Sequence, residues 1–292
     1  MAGDRARGQD PHFLPPGDPG PAGEGRRGDA NLFPIYPDRS RSPLLPKPEA
    51  NMRSLPARLR IPLAALLLPI LLLWSPAPAS SLQTVTLDEG AFRVMVGGSE
   101  VGTETFFVRR SGEGAAGQTI AYGEVSLELP DGPLRLEPAV QASGSEMGVS
   151  AYQVRVVGGQ QSGESRFERE SNRFRMTMQT EMGERQREFR ADAATVFLDS
   201  HVAHQYWFIG KRIADGQRQI PVIAPREGAQ FTLTVDDAES DPVTIDGNQV
   251  PANRYRLTGQ GGERMVWLDD EGRVLRVRIA DLDYEAIRTA RP

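Results

Sequence analysis

The sequence predicts a mainly β fold, in which an antiparallel meander forms a curved half-barrel or barrel covered by one short helix at about residues 200–213. Apolar and polar residues alternate with a period of two from Thr84 onward, and turn-forming pairs separate these runs. Only one segment of this region has helical periodicity. A sheet with this many strands is expected to curve or close, because large flat open sheets are uncommon.

The period-two alternation places one set of side chains on a common face of each strand. Polar residues such as Arg93, Glu128 and Arg276 occupy positions between them. The apolar sets that predict strands are Phe92, Val94 and Val96; Val125, Leu127 and Leu129; Tyr152, Val154 and Val156; Phe231, Leu233 and Val235; and Leu275, Val277 and Ile279.

Glycine-containing turns stand between the predicted strands and supply the positive φ angles that tight hairpins need. Their short spacing predicts about ten to twelve strands and indicates that neighbouring strands are antiparallel. The turns are Gly97-Gly98, Asp131-Gly132, Gly158-Gly159, Asp246-Gly247 and Asp270-Glu271-Gly272.

The helical segment covers residues 201–213. Asp199 and Ser200 are suited to its N-cap, and Lys211 and Arg212 lie near its C-terminal end, where the helix dipole favours cations. We expect its apolar face to cover the concave side of the sheet. The residues on that face are Val202, Tyr206, Ile209 and Ile213.

Residues 52–79 contain the three parts of a secretory signal peptide in the usual order. An arginine-containing start is followed by an apolar run from Ile61 to Trp74, and Ala77-Pro78-Ala79 matches a small-x-small cleavage site. The apolar run is shorter than the roughly twenty residues that a membrane-spanning helix needs. We therefore expect export to the periplasm or the medium, without a stable membrane span after cleavage.

The signal peptide divides the chain into three parts. Residues 1–51 are rich in Pro and Gly, and they contain too few aliphatic side chains to offset the entropy of ordering, so they are expected to be disordered. Because signal peptides begin near the initiator methionine, Met52 is the expected start of translation. Residues 80–292 are expected to form a single β-rich exported domain.

Charge and composition exclude several classes of function. The chain carries a net charge of −5, and its first 79 residues are net basic, which leaves about −8 on the exported domain and disfavours nucleic acid as a partner. Cysteine is absent, which excludes disulfides, zinc-thiolate sites, thiol nucleophiles and a lipid anchor at the cleavage site. No nucleotide loop or other cofactor motif is present, so no cofactor is expected.

His201 and His204 lie three residues apart on the predicted helix and close to Asp199, a spacing that could place two imidazoles on one metal ion. A metal-assisted hydrolase is therefore one hypothesis for the function. Carboxylates would have to complete the shell, because the chain lacks a His-Glu-x-x-His motif. Ser200 lies four residues before His204, but no nucleophile elbow surrounds it. The alternative is that the histidines lie at the surface or pack around the helix cap.

The predicted strand Arg173 to Met182 concentrates methionines on one face. Flexible thioethers adapt to apolar ligands of varied shape, so this face is a candidate lipid or small-molecule site. The alternative is that these side chains pack beneath the helix, with Tyr206 and Trp207 as partners. The candidate ligand-binding residues are Phe174, Met176, Met178, Met182, Tyr206 and Trp207.

Two segments carry a resemblance to known proteins. The hairpin Gly97-Gly98-x-x-Val101-Gly102-Thr103-Glu104 and the entry Leu198-Asp199-Ser200-His201 into a short aromatic helix resemble exported bacterial domains of unknown function with a curved antiparallel sheet. Such domains are similar in architecture to the periplasmic lipoprotein carriers, in which a sheet wraps a helix and its concave face receives acyl chains. The resemblance implies a half-barrel and transfers no functional residues.

These observations favour an exported, non-enzymatic protein that binds an apolar small molecule or lipid in the concave face of a curved sheet. Two alternatives remain open at this point. One is a structural or assembly factor of the cell envelope that acts by protein contact through its sheet edge or acidic surface. The other is the metal-assisted hydrolase at Asp199, His201 and His204.

Overall fold

The computed structural model describes residues 83–158, 162–180 and 183–292. The predicted disordered extension at residues 1–51, the predicted signal peptide at residues 52–79, and Met182 lie outside the described residues. The described residues lie in one compact unit.

The first half of the described chain is a meander of long antiparallel strands, as the alternation predicts. Each strand pairs with the next along the chain. The strands are β1 (Thr84–Val96), β2 (Ser99–Ser111), β3 (Gln118–Leu129), β4 (Gly132–Ser143), β5 (Gly148–Gly158), β6 (Gly163–Glu170), β7 (Arg173–Thr180) and β8 (Gly183–Arg190).

The second half contains the helix and shorter strands. Its elements are β9 (Val196–Phe197), α1 (Tyr206–Ala214), β10 (Gln219–Ala224), β11 (Ala229–Val235), β12 (Glu239–Ser240), β13 (Val243–Ile245), β14 (Asn248–Val250), β15 (Asn253–Gly259), β16 (Arg264–Leu268), β17 (Val274–Ile279) and β18 (Tyr284–Arg288). In the part of the chain that the structure describes, no helix is long and apolar enough to cross a membrane.

Within the described residues, sixteen strands form one sheet. The first strand, β1, pairs with the last, β18, so both halves of the chain join edge to edge. The sheet does not close, and its two ends are β8 and β9. The prediction of antiparallel neighbours is wrong at one place, because β9 runs parallel to β10. The strand count exceeds the prediction in part because β9 and β12 to β14 are too short to show a period.

The predicted apolar faces point into a single main core, with one exception in β17. Val277 and Ile279 join the main core as predicted, whereas Leu275 lies in a second, smaller cluster with Trp267. The cause is a β-bulge, since the pairing shifts register between Trp267 and Leu268. The extra residue of a bulge reverses the face of the side chains on one side of it.

Aromatic side chains and α1 fill the inner face of the sheet. Phe197 from β9 stacks on Tyr152, with ring centroids 4.8 Å apart, and meets Phe167 and Phe174 edge-on at 5.1 and 5.0 Å. Such pairs are worth about 0.5–1.5 kcal/mol beyond their burial. The predicted covering helix is therefore a buried plug. Its buried side chains include Tyr206, Trp207, Phe208, Ile209 and Arg212.

The helix begins at Tyr206, six residues later than the predicted start at about residue 200. The prediction that Asp199 and Ser200 cap it is wrong, because a long-range contact serves the backbone there. The Glu104 carboxylate accepts the backbone N–H groups of Ala203 and His204 at 2.7 and 2.8 Å. This buried acid on β2 holds the chain in turns before α1.

The sequence indicates that Arg212 faces the C-terminal dipole of α1. In the structure, its side chain also reaches into the sheet. It is 2% exposed and donates to four backbone carbonyls. Two belong to the β4–β5 turn and two to the loop before β9, so one side chain ties the helix to both. The acceptors are the carbonyl oxygens of Glu146, Met147, Ala193 and Ala194.

We expect Arg212→Leu to lower the free energy of unfolding by about 3 kcal/mol, because it leaves buried carbonyls without donors. Urea unfolding followed by tryptophan fluorescence measures the change. Arg278→Leu is the matched control, since Arg278 is exposed on β17. Equal unfolding free energies for the two variants would show that Arg212 does not hold the helix.

Candidate functional site

One end of the open sheet, β8, meets β11 and the β10–β11 turn at a seam that side chains, not strand pairing, hold together. The side-chain amide of Gln230 accepts the backbone N–H of Arg190 at 3.1 Å and donates to the Arg190 carbonyl at 2.7 Å. Arg187 donates to the carbonyl of Gly228 at 2.6 Å. Gln230 therefore occupies the place that a neighbouring strand would take beside β8.

A cleft of about 380 Å³ opens beside this seam, and we call it the seam cleft. Its volume lies in the usual range for small-molecule sites. Its walls combine apolar side chains with a few polar and charged groups. The lining residues are Leu198, Asp199, Ser200, Tyr206, Ala224, Glu227, Ala229, Gln230, Phe231, Gln260, Gly261, Arg264, Ile279, Asp281 and Leu282.

A buried hydrogen-bond network forms one wall of the cleft around Asp199. The Asp199 carboxylate accepts from the Tyr152 hydroxyl at 2.8 Å and from Arg226 Nε at 2.5 Å. The Gln205 side chain links the same groups, because its amide donates to the Tyr152 hydroxyl and accepts the Asp199 backbone N–H. At the cleft surface, the Ser200 hydroxyl donates to Glu227. The network is a satisfied, rigid wall.

Burial shifts the titration of several of these groups. It raises the pKa of the Asp199 carboxyl, although the Arg226 guanidinium acts in the opposite direction. It also raises the pKa of Tyr152, to which the Asp199 charge adds. Burial raises the pKa of Tyr206 to about 12, with Arg264 acting against it. The Tyr206 hydroxyl therefore stays protonated at physiological pH and can donate a hydrogen bond.

His204 is fully buried and forms a pair with Glu104. Its Nδ1 lies 2.7 Å from the Glu104 carboxylate, and its ring stacks on Phe106 with centroids 5.9 Å apart. Gly123 makes room for this ring, since a Cβ there would lie 2.6 Å from His204 Cε1. The imidazole thus helps Glu104 to hold the turn before α1.

His201 lies apart from that pair and has a backbone φ of 67°, a conformation that is uncommon for a residue with a side chain. Its ring meets Tyr284 edge-on, with centroids 5.5 Å apart. Burial and the charge of Arg226 lower the pKa of its imidazole.

The three residues predicted as metal ligands therefore have three different sets of partners. Asp199 binds Tyr152 and Arg226, His204 binds Glu104, and His201 packs on Tyr284. Among the described residues, no group of three His, Cys, Asp or Glu side chains could hold a metal ion.

The methionine strand lies in the core for most of its described length. Phe174 and Met176 are 0% and 6% exposed, and the half-buried Met178 packs against the same core. Tyr206 and Trp207 are buried on α1, and Tyr206 also lines the seam cleft. The structure thus separates the predicted ligand-binding set, since Tyr206 alone among its described members borders the cleft.

Sequence reasoning missed Arg264 of the cleft and Glu104 beneath the turn before α1, although the position of each in its alternating strand is a signal. Glu104 shares its strand face with the buried Phe106 and Val108 of β2. Arg264 likewise shares its face with Val266 and Leu268 of β16. A charged residue at an inward position of an alternating strand has to find a partner or line a cleft.

Comparison with known proteins finds one family model, described as the domain of unknown function DUF6134, which matches residues 144–291. This is just over half of the chain and includes all residues of the seam cleft. No curated protein matches. A crystal structure of a β-barrel-like protein of the domain of unknown function DUF1849 from Brucella abortus is similar, with 9% identity and a TM-score of 0.41. The similarity covers 71% of this chain and 96% of that chain.

We expect Asp199 to make stability fall as the pH rises. Because its pKa is raised in the folded state, the folded protein holds a proton that the unfolded chain releases near the ordinary value of 3.8. The stabilising contribution of Asp199 is therefore complete below pH 3.8 and is lost as the pH rises from there through the raised pKa of the folded state. Urea unfolding of wild type and Asp199→Asn at several pH values measures it. We expect the wild-type value to fall relative to the variant as the pH rises.

The exposed Asp270 offers the control Asp270→Asn, whose difference from wild type should not vary in this way. A wild-type free energy of unfolding that rises relative to that of Asp199→Asn as the pH rises would contradict the expectation. It would mean that Arg226 outweighs burial and lowers the pKa.

Proposed function

This chain belongs to the family of the domain of unknown function DUF6134, and we propose that it is an exported, non-enzymatic protein that binds a small apolar or amphipathic molecule in the seam cleft. The observation that supports this proposal is the seam cleft itself. It is a concave site of ligand size, with apolar walls and a few convergent polar groups, bordered by residues of raised pKa.

The packing of the core favours this cleft over the methionine strand. A ligand against Phe174 or Met176 would have to displace aromatic rings that already contact one another inside the sheet. The seam cleft needs no such displacement. Leu282 at its rim is one of the large apolar side chains that remain exposed, with 38% of its surface accessible.

The polar groups of the cleft favour binding over catalysis. The Ser200 hydroxyl faces Glu227, and the two nearby histidines pack against Tyr284 and Glu104. A serine nucleophile would need an imidazole within hydrogen-bond reach. Contact with a protein through the sheet edge has weaker support, because five of the eight residues of β8 are charged. Charged residues on an edge strand are a common means of preventing further strand pairing.

We expect the neutral fluorescent probe N-phenyl-1-naphthylamine to bind in the seam cleft, and Leu282→Asp to weaken this binding at least about tenfold, because a charge replaces apolar contact at the rim. Fluorescence titration measures the dissociation constants. Val157→Asp is the control, since Val157 is also an exposed apolar residue but lies away from the cleft. Met178→Ala should leave binding unchanged. Loss of binding in Met178→Ala alone would instead favour the methionine strand.

Export predicts a mature protein that begins near Ser80. The small-x-small pattern that ends at Ala79 is the feature that signal peptidase recognises. Terminal sequencing of the protein purified from its native host should therefore find a start close to Ser80. A protein that keeps residues 52–79 would contradict export by cleavage.

A further inference from the structure

Arg264 has an unusual position among the charged groups of the seam cleft. It is half-buried at the start of β16, and its guanidinium carbon lies 5.3 Å from the centre of the Phe231 ring. Its Nη1 donates to the Gly262 carbonyl at 3.2 Å. The guanidinium also forms a hydrogen bond with the Tyr206 hydroxyl. These contacts hold it at the cleft wall and leave others of its five N–H donors for a ligand.

Two of the three carboxylates that line the cleft have other partners. Asp199 is paired with Arg226, and Glu227 accepts the Ser200 hydroxyl. The exposed Asp281 lies against the Gly262 turn. Among the described residues, no carboxylate lies within ion-pair distance of Arg264.

We propose that Arg264 binds the carboxylate of an amphipathic monocarboxylic acid whose apolar chain lies against Phe231, Ile279 and Leu282. This inference rests on the proposed function, since it assigns the ligand class of the same cleft. A guanidinium and a carboxylate form two parallel hydrogen bonds, and such a pair is strongest in a partly desolvated cleft.

Tyr206 supplies a second donor on the same side of the cleft. Its hydroxyl is close enough to Arg264 for the guanidinium to affect its titration, and it stays protonated at neutral pH. A carboxylate held by Arg264 can therefore accept from the Tyr206 hydroxyl as well.

Besides Asp199, which is paired with Arg226, two acidic side chains of the cleft limit the ligand to a single negative charge. Glu227 and Asp281 line the same cleft as Arg264. They would repel the second charge of a phosphate monoester more than they repel a monoanion. A carboxylate suits this balance better than a phosphate does.

Displacement of N-phenyl-1-naphthylamine tests the inference, with decanoate, decanol and decyl phosphate as competitors at pH 8 and low salt. For the wild type we expect decanoate to bind at least tenfold more tightly than decanol, and more tightly than decyl phosphate. In Arg264→Gln, decanoate and decanol should displace the probe with equal dissociation constants, because the guanidinium that distinguishes them is gone. Arg264→Lys should retain part of the preference, and Arg278→Gln, at an exposed arginine, all of it.

The outcomes separate this inference from the proposed function. If the wild type binds the probe but does not distinguish decanoate from decanol, the inference is wrong and the cleft remains an apolar site. Tighter binding of decyl phosphate also overturns it. If the wild type binds neither the probe nor any competitor, the proposed function fails. The wild-type comparison decides the matter even where Arg264→Gln does not fold.

Discussion

The Glu104 carboxylate, buried on β2, is the constraint on which the inner part of the structure depends. It accepts two backbone N–H groups and the His204 ring, about a hundred residues further along the chain. A buried carboxylate is costly unless such donors surround it. This contact fixes where the chain stops turning and where α1 begins, and Arg212 then ties the other end of the helix to the sheet. Helix α1 and its aromatic side chains are thereby held against the inner face of the curved sheet.

The plug and the open sheet together produce the cleft. The sheet does not close. Strand β9 is only two residues long and runs parallel to β10, and β8 is joined to Gln230 of β11 and to the β10–β11 turn through side chains without strand pairing. A gap between an incomplete seam and a rigid, hydrogen-bonded wall around Asp199 remains beside α1. Ligand sites commonly lie in the mouths of barrels, where strand ends and loops meet.

Sequence patterns predicted the strands of the meander, because a period of two directly reports a sheet with one buried face. They failed where a structural feature depends on residues that are distant in the sequence. The start of α1 depends on Glu104, the face of Leu275 depends on a bulge, and the histidines depend on partners from β2 and β18. The cleft was not predictable from local pattern, since its walls come from residues 198–282 of five separate segments. Charged residues at inward-facing positions of alternating strands, such as Glu104 and Arg264, were the sequence signal that indicates a buried contact or a cleft.

The central claim is that a ligand binds at the seam and not inside the sheet. Photo-crosslinking with a neutral alkyl alcohol that carries a diazirine, followed by peptide mapping, tests it most directly. We expect the label on the segments 224–231 and 279–282, which border the cleft. Label concentrated on residues 173–180 of β7 would contradict the claim and place the ligand in the core.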